Sequence, residues 1–115
     1  MPPTTRYRRG DIVLVSFPFT DLTSSKRRPA LVISPNTFNE HGEDLVLVAM
    51  TSQEPDDRAV AIGPGDCVDG TLPKSSYVKV AKIFTIHSTL VLKRICVLRQ
   101  EKLAEVLHEL RGFLS

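Results

Sequence analysis

Two polar residues at the borders of apolar segments are suited to chemistry on a phosphate. Arg28 stands directly before Pro29 and the apolar run that follows it. A guanidinium held at such a junction offers a rigid fork to a phosphate and can stabilise the charge that develops during strand cleavage. Thr51 follows the apolar run 45–50 and adds a hydroxyl group. Judged alone, Arg28 also fits a solvated surface arginine, and Thr51 fits a plain turn.

Further polar residues near these positions are candidates for contacts with a nucleic acid. Lys79 and Lys82 stand three positions apart on a predicted strand, so we expect them on opposite faces, with one of them sharing a groove with Arg28. The polar candidates are Lys26, Arg27, Ser52, Gln53, Lys79 and Lys82, and the aromatic candidate is Phe19.

Metal and cofactor chemistry is not indicated by the sequence. His41, His87 and His108 stand far apart, without paired spacing and without a neighbouring acid cluster. Neither a glycine-rich phosphate loop nor a nucleophile elbow occurs. We therefore expect no cofactor, and any reaction would depend on ordinary polar side chains.

The charge distribution suggests a positive groove. Net charge is only +2, but residues 1–28 carry six basic and two acidic side chains, and residues 73–115 carry eight and three. The segment 29–72 between them carries Arg58 against eight acids. Two basic segments that meet in space would form a binding groove, although interleaved surface charge for solubility is an equal alternative.

The elements that must position these residues are mostly strands. Val, Ile and Leu supply the core because tryptophan is absent, and these residues favour strands. An apolar stripe at helical spacing predicts an amphipathic helix over 100–113 that packs on the sheet. Short strands with one terminal helix indicate a partly open barrel. The predicted strands are 11–17, 29–34, 45–51, 59–62, 76–86 and 94–98.

The connection 18–28 is long for a hairpin, and we expect a loop of this length to carry function or to be disordered. It has eleven residues, is polar, and ends in three consecutive basic side chains. The two cysteines, Cys67 and Cys96, lack paired spacing and are interpreted as free thiols.

Length and composition favour a single cytoplasmic domain over 1–115. The chain has 115 residues, of which 42% are hydrophobic and 24% charged, an ordinary globular composition. The longest apolar run, 45–50, is too short to cross a membrane, and residues 1–9 do not resemble a secretory signal.

Several blocks along the chain resemble a known toxin family. These are Arg9-Gly10-Asp11-Ile12-Val13, the run from Lys26 to Ser34, Ala49-Met50-Thr51-Ser52, and the stretch from Ser76 to His87. In order and spacing they are similar to the landmarks of the MazF/PemK toxins over nearly the whole chain. Each block is weakly specific, and together they are fairly specific.

This resemblance implies a small SH3-like β-barrel of the kind shared with CcdB toxins, a homodimer, and metal-independent cleavage of single-stranded RNA at short sequence motifs. It also implies a cognate antitoxin. The family's catalytic arginine and threonine correspond to Arg28 and Thr51. Cleavage would use the ribose 2′-OH as nucleophile and yield a 2′,3′-cyclic phosphate and a 5′-OH. Phe17, Phe19 and Phe38 are candidates for base stacking, with Phe17 better explained as core.

The fifth predicted strand departs from the family pattern. Lys79 and Ala81 stand where some members have a catalytic arginine and acid. Lys82 and Phe84 replace the usual glutamine and arginine, and His87 replaces an aspartate. The sequence therefore contains no obvious general base.

Two other functions stay open for a chain with this fold. One is a non-catalytic binder such as a CcdB-like gyrase poison, and the other is a degenerate member that serves only as an interaction module. The Arg28 and Thr51 pair argues against both, since a gyrase poison has no need of it.

Overall fold

The computed structural model describes residues 7–18, 25–55 and 58–115. Within these residues, seven strands form one antiparallel sheet, curled into a half-barrel, in the order β4-β6-β3-β2-β1-β7-β5. Helix α1 (Asn36–His41) connects β2 to β3, and helix α2 (Gln100–Leu114) follows β7. The predicted fold class, mainly β with a C-terminal helix, is confirmed. The strands are β1 (Asp11–Pro18), β2 (Ser25–Val32), β3 (Asp44–Thr51), β4 (Ala59–Ile62), β5 (Cys67–Gly70), β6 (Ser76–His87) and β7 (Val91–Leu98).

Both faces of the sheet are covered by apolar side chains. Consecutive strand residues point to opposite faces, and in the buried strands consecutive residues are apolar. In β1, Ile12 belongs to one buried cluster, whereas Val13 and Val15 belong to the other. The first cluster is covered by α2, which buries the stripe Leu103, Val106 and Leu110 as predicted. The second cluster is edged by half-buried residues that include Phe84.

The sheet opens between β2 and β3. These strands share three residue pairs, Ala30 with Ala49, Leu31 with Val48 and Val32 with Leu47. From Ser25 to Pro29, β2 pairs with β1 alone, while the end of β3 pairs with β6. The two strands therefore part at Pro29, a residue without an N–H that tolerates the lack of a ladder partner.

The prediction that the whole segment 18–28 forms a loop is wrong. Strand β2 begins at Ser25 and not at Pro29, so Lys26, Arg27 and Arg28 are strand residues. They pair with Phe17, Ser16 and Val15 of β1. Backbone pairing with β1 thus overrides the low strand propensity of consecutive charged residues. Residues 19–24 lie outside the described part of the chain.

Strand β6 carries a bulge beside this opening. Val48 of β3 pairs with Ile83, whereas Met50 pairs with Val78. Ala49 of β3 is therefore opposed by the four residues from Lys79 to Lys82. Such an insertion bends a strand and redirects its side chains, which matters for the two lysines at its ends.

The segment after β4 holds a short strand that the sequence did not predict. A 3₁₀ turn, Pro64–Asp66, follows β4 and leads into β5 on the edge of the sheet. Arg99, directly before α2, donates to Asp66 at 2.8 Å. Backbone donation from Gly63 and the Arg99 guanidinium lower the pKa of the Asp66 carboxyl. This ion pair ties the turn to the start of α2.

The two cysteines are free thiols, as predicted, but they are neighbours in space. Cys67 in β5 and Cys96 in β7 have their Sγ atoms 2.9 Å apart. Burial, followed by the contact with Cys67, raises the pKa of the Cys96 thiol to about 12. Cys96 is therefore protonated at neutral pH and packs as a small apolar side chain.

Candidate active site

Arg28 and Thr51 are brought together by the register of β2 and β3. Each residue lies two positions beyond the last pair of the ladder, Ala30 with Ala49. Continued by two residues, that register sets Arg28 opposite Thr51. Residues two apart on a strand share a face, so both side chains leave the sheet on the side of Ala30. The opening between the strands is thus flanked by a guanidinium and a hydroxyl.

The hydroxyl of Thr51 is held by the turn that follows it. Its Oγ1 accepts a hydrogen bond from the backbone N–H of Gln53 at 3.2 Å. A hydroxyl has one hydrogen to donate besides its acceptor positions. The hydrogen of Thr51 is therefore left to donate to a group bound in the opening.

Two cavities meet at Arg28, Met50 and Thr51, which line both of them. The first, which we call the Lys74 pocket, has a volume of about 500 Å³. Leu72, Met50 and Ile95 form its apolar floor. Its polar lining consists of Arg27, Arg28, Thr51, Ser52, Gln53, Lys74 and Ser76.

The second cavity, which we call the Phe84 pocket, has a volume of about 540 Å³. Besides the shared residues, it is lined by Ala49, Lys79, Lys82, Ile83 and Phe84. Both volumes fall in the range of small-ligand sites, roughly 300 to 1,000 Å³. The paired cavities form one groove with the Arg28 and Thr51 pair at its middle.

The expectation that only one of Lys79 and Lys82 shares a groove with Arg28 is wrong. Both line the Phe84 pocket. The expectation assumed regular alternation, which the β6 bulge between Val78 and Ile83 interrupts.

The described lining of the two pockets is cationic. Its charged residues are Arg27, Arg28, Lys74, Lys79 and Lys82, and no carboxylate or imidazole is among the lining residues. These cations come from the two basic ends of the sequence, while the acidic middle contributes the uncharged stretch 49–53. The groove is therefore suited to a polyanion.

Several predicted contact residues fall elsewhere. Lys26 lies on β2 two residues before Arg28 and lines neither pocket. Phe38 is exposed on α1 and lines neither pocket. Phe19 and the side chain of Phe17 lie outside what the structure describes. Lys74 was not among the predicted contact residues. Its position directly after Pro73, in the basic segment 73–115, could have indicated a contact residue.

Neither a metal cluster nor a membrane helix is found in the described residues. Among 7–18, 25–55 and 58–115, no three His, Cys, Asp or Glu side chains group closely enough to hold a metal ion. In the same ranges, no helix has the length and hydropathy to span a bilayer.

The groove combines three properties that cleavage of a nucleic-acid strand requires. It has mostly exposed cations for a phosphate backbone, a guanidinium and a hydroxyl where the two pockets meet, and apolar and aromatic surface for bases. The fold and the site together define a class of small β-domains, a half-barrel with a cationic groove.

Comparison with known proteins identifies the family of this chain. Residues 8–114 match the model of the PemK-like, MazF-like toxins of type II toxin–antitoxin systems. The chain therefore belongs to this toxin family. No curated protein is similar enough in sequence to count as a match.

Solved structures with the same fold include members of toxin–antitoxin pairs. A MazE–MazF structure from Deinococcus radiodurans superposes with a TM-score of 0.80 at 21% identity, covering 96% of this chain and 97% of the other. An endoribonuclease from a mycobacterial species gives 0.76 at 22% identity, covering 98% and 95%. A mycobacterial endoribonuclease in complex with its cognate antitoxin gives 0.68 at 23% identity, covering 95% and 96%.

Proposed function

We propose that this toxin is a metal-independent endoribonuclease that cleaves single-stranded RNA at short sequence motifs and so inhibits translation. The observation that carries the proposal is the convergence of Arg28 and Thr51 at the junction of two cationic pockets. The endoribonuclease activity named for two proteins of the same fold supports it.

The reaction that suits this groove is transesterification within the RNA. The ribose 2′-oxygen attacks the adjacent phosphorus, and the bond from phosphorus to the 5′-oxygen of the next nucleotide breaks. No carboxylate or imidazole is among the described residues that line the groove, so the 2′-OH passes its proton to solvent water and the departing 5′-oxygen takes one from water. The products are a 2′,3′-cyclic phosphate and a 5′-OH. Negative charge grows on the phosphoryl oxygens in the transition state.

Arg28 and Thr51 have separate tasks in this reaction. The Arg28 guanidinium donates to the phosphoryl oxygens as their charge increases. The Thr51 hydroxyl, oriented by the Gln53 N–H, donates to a phosphate oxygen or holds the 2′-OH in line with phosphorus. Arg27 and Lys74 on one side, and Lys79 and Lys82 on the other, neutralise flanking phosphates.

RNA cleavage is expected to persist in EDTA. Charge stabilisation comes from Arg28, so removal of divalent ions leaves the rate within a factor of about two, while the products carry a cyclic phosphate and a 5′-OH. The measurement is cleavage of end-labelled RNA with and without chelator, with end groups identified by mass spectrometry. Activity that disappears in EDTA and returns with magnesium would contradict the proposal.

We further propose that residues 1–115 form a single domain and that this domain acts as a homodimer in the cytoplasm, where mRNA is found. An antitoxin restrains its activity. The antitoxin's disordered acidic segment would compete with RNA for the cationic groove. One of the solved structures of the same fold contains a cognate antitoxin.

Expression of this chain alone is expected to stop bacterial growth, and co-expression of its antitoxin should restore growth. The measurement is colony formation after induction, with Arg28→Ala as the matched variant that should fold but cut RNA slower by roughly 10²-fold or more. Undiminished growth in cells that contain soluble, folded wild-type protein would count against the toxin assignment.

A further inference from the structure

The Phe84 pocket contains an aromatic side chain beside the Arg28 and Thr51 pair. Phe84 lies on β6 opposite Leu47 and packs against the second apolar cluster, yet it is half-buried and lines the cavity. It is the one aromatic residue among the described residues that line either pocket. An aromatic side chain in a cationic groove is the usual platform for an unstacked base.

We propose that the Phe84 pocket binds the base of a nucleotide next to the cleaved phosphate, and that this base is guanine or uracil. The inference deepens the proposed function and rests on it. Phe84 stacks on the base, while Lys79 and Lys82 contact its edge and the adjoining phosphate. Phe84 thereby helps to determine which RNA sequences are cut.

The preference for guanine or uracil follows from the charged side chains of the pocket, since its hydroxyl, that of Thr51, is assigned to the phosphate or the 2′-OH. The side chains of Arg28, Lys79 and Lys82 are donors without acceptor atoms. Guanine offers O6 and N7 as acceptors, and uracil offers a carbonyl oxygen at the position where cytosine has an amino group. The amino groups of adenine and cytosine would face cations. Their binding is therefore disfavoured.

The supporting frame keeps this aromatic residue in place. The β6 bulge, Lys79 to Lys82, lies directly before Ile83 and Phe84, so the two lysines and the ring meet in one cavity. Phe84 itself continues the regular pairing with β3. A ring anchored in a sheet loses little conformational freedom when a base stacks on it.

The test is a comparison of the sequences cut by Phe84→Leu and by the wild type. Leucine keeps the apolar packing and removes the ring. Cleavage sites in a randomised RNA pool are mapped by sequencing, and kcat/KM is measured on the RNA that the wild type prefers. Phe113→Leu is the matched control, since Phe113 is exposed on α2 outside both pockets. Thermal unfolding of each variant verifies folding.

We expect the wild type to favour guanine or uracil at one position beside the cut. In Phe84→Leu this preference should weaken and kcat/KM should fall roughly 10-fold, in keeping with the loss of one base-aromatic stack. Phe113→Leu should match the wild type. Phe84→Tyr, which restores a ring, should recover most of the preference.

The outcomes separate the inference from the proposed function. If wild-type protein does not cut RNA, the proposed function fails. If it cuts and Phe84→Leu retains the same preference, or loses rate equally on all sequences, Phe84 only packs and the inference is overturned. A preference for adenine or cytosine at every position beside the cut would overturn the assignment of the base.

Discussion

Replacing Arg28 with alanine is expected to lower the first-order rate of RNA cleavage by roughly 10²-fold or more. The loss is of the size found when one charge-stabilising donor is removed from other enzymes. RNA affinity should fall much less, because the guanidinium meets charge that grows only in the transition state. Single-turnover cleavage and RNA binding, measured side by side, distinguish the two effects.

Arg27→Ala is the matched control for this variant. It removes the same charge from the neighbouring position of β2, and strand alternation directs its side chain to the other face. Arg27 lines the Lys74 pocket but not the Phe84 pocket. Its loss should therefore weaken RNA binding a few-fold and leave the cleavage rate of bound RNA nearly unchanged. Equal cleavage rates for Arg28→Ala and wild type would show that the proposed active site is wrong.

Thr51→Val should slow cleavage by roughly 10- to 100-fold. Valine keeps the branched shape that suits the end of β3 and removes the hydroxyl, and a hydrogen bond to a charged group contributes roughly 1.5–3 kcal/mol. The effect should be on the cleavage rate of the bound RNA, which is measured by single-turnover cleavage at saturating protein. The variant should unfold at nearly the wild-type temperature, since the hydroxyl accepts only one backbone hydrogen bond at the surface.

Thr85→Val provides the same chemical change elsewhere on the sheet. Thr85 is exposed on β6 and lines neither pocket, so its replacement should leave cleavage unaltered. If Thr51→Val and Thr85→Val cut equally fast, the hydroxyl of Thr51 has no part in the reaction.

The fold was predictable where strands are buried. The β-branched runs that became β1, β3, β4 and β6 have alternating or continuous apolar residues, and the structure moves their ends by one residue or less. The charged start of β2 and the exposed β5 were not predictable. Their backbone pairs with β1 and β7, and that partnership leaves no mark in the apolar pattern.

The candidate site was predictable in its central pair and less so in its surroundings. Arg28 and Thr51 were recognisable from their positions at the borders of apolar runs and from the family resemblance. The joint presence of Lys79 and Lys82 was not, because it depends on a bulge that strand alternation cannot anticipate. In the sequence, Phe84 is recognisable only as a departure from the family pattern. Its place in a cavity is not, because the sequence does not determine which face of a curled strand borders a cavity.

The short ladder between β2 and β3 makes the separation of the Arg28 and Thr51 side chains sensitive to twist of the sheet. Arg28 belongs to the half of the sheet formed by β2, β1, β7 and β5, and Thr51 to the half formed by β3, β6 and β4. Three residue pairs, and backbone hydrogen bonds from Ile33 and Ser34 to Val46, join β2 to β3. The side chains of Arg28 and Thr51 project just past the other end of that junction. A small rotation of one half against the other changes their separation directly. A phosphate bound by both Arg28 and Thr51 would hold the two halves in a fixed orientation. Bound RNA should therefore slow the exchange of backbone amide hydrogens along the junction of β2 and β3.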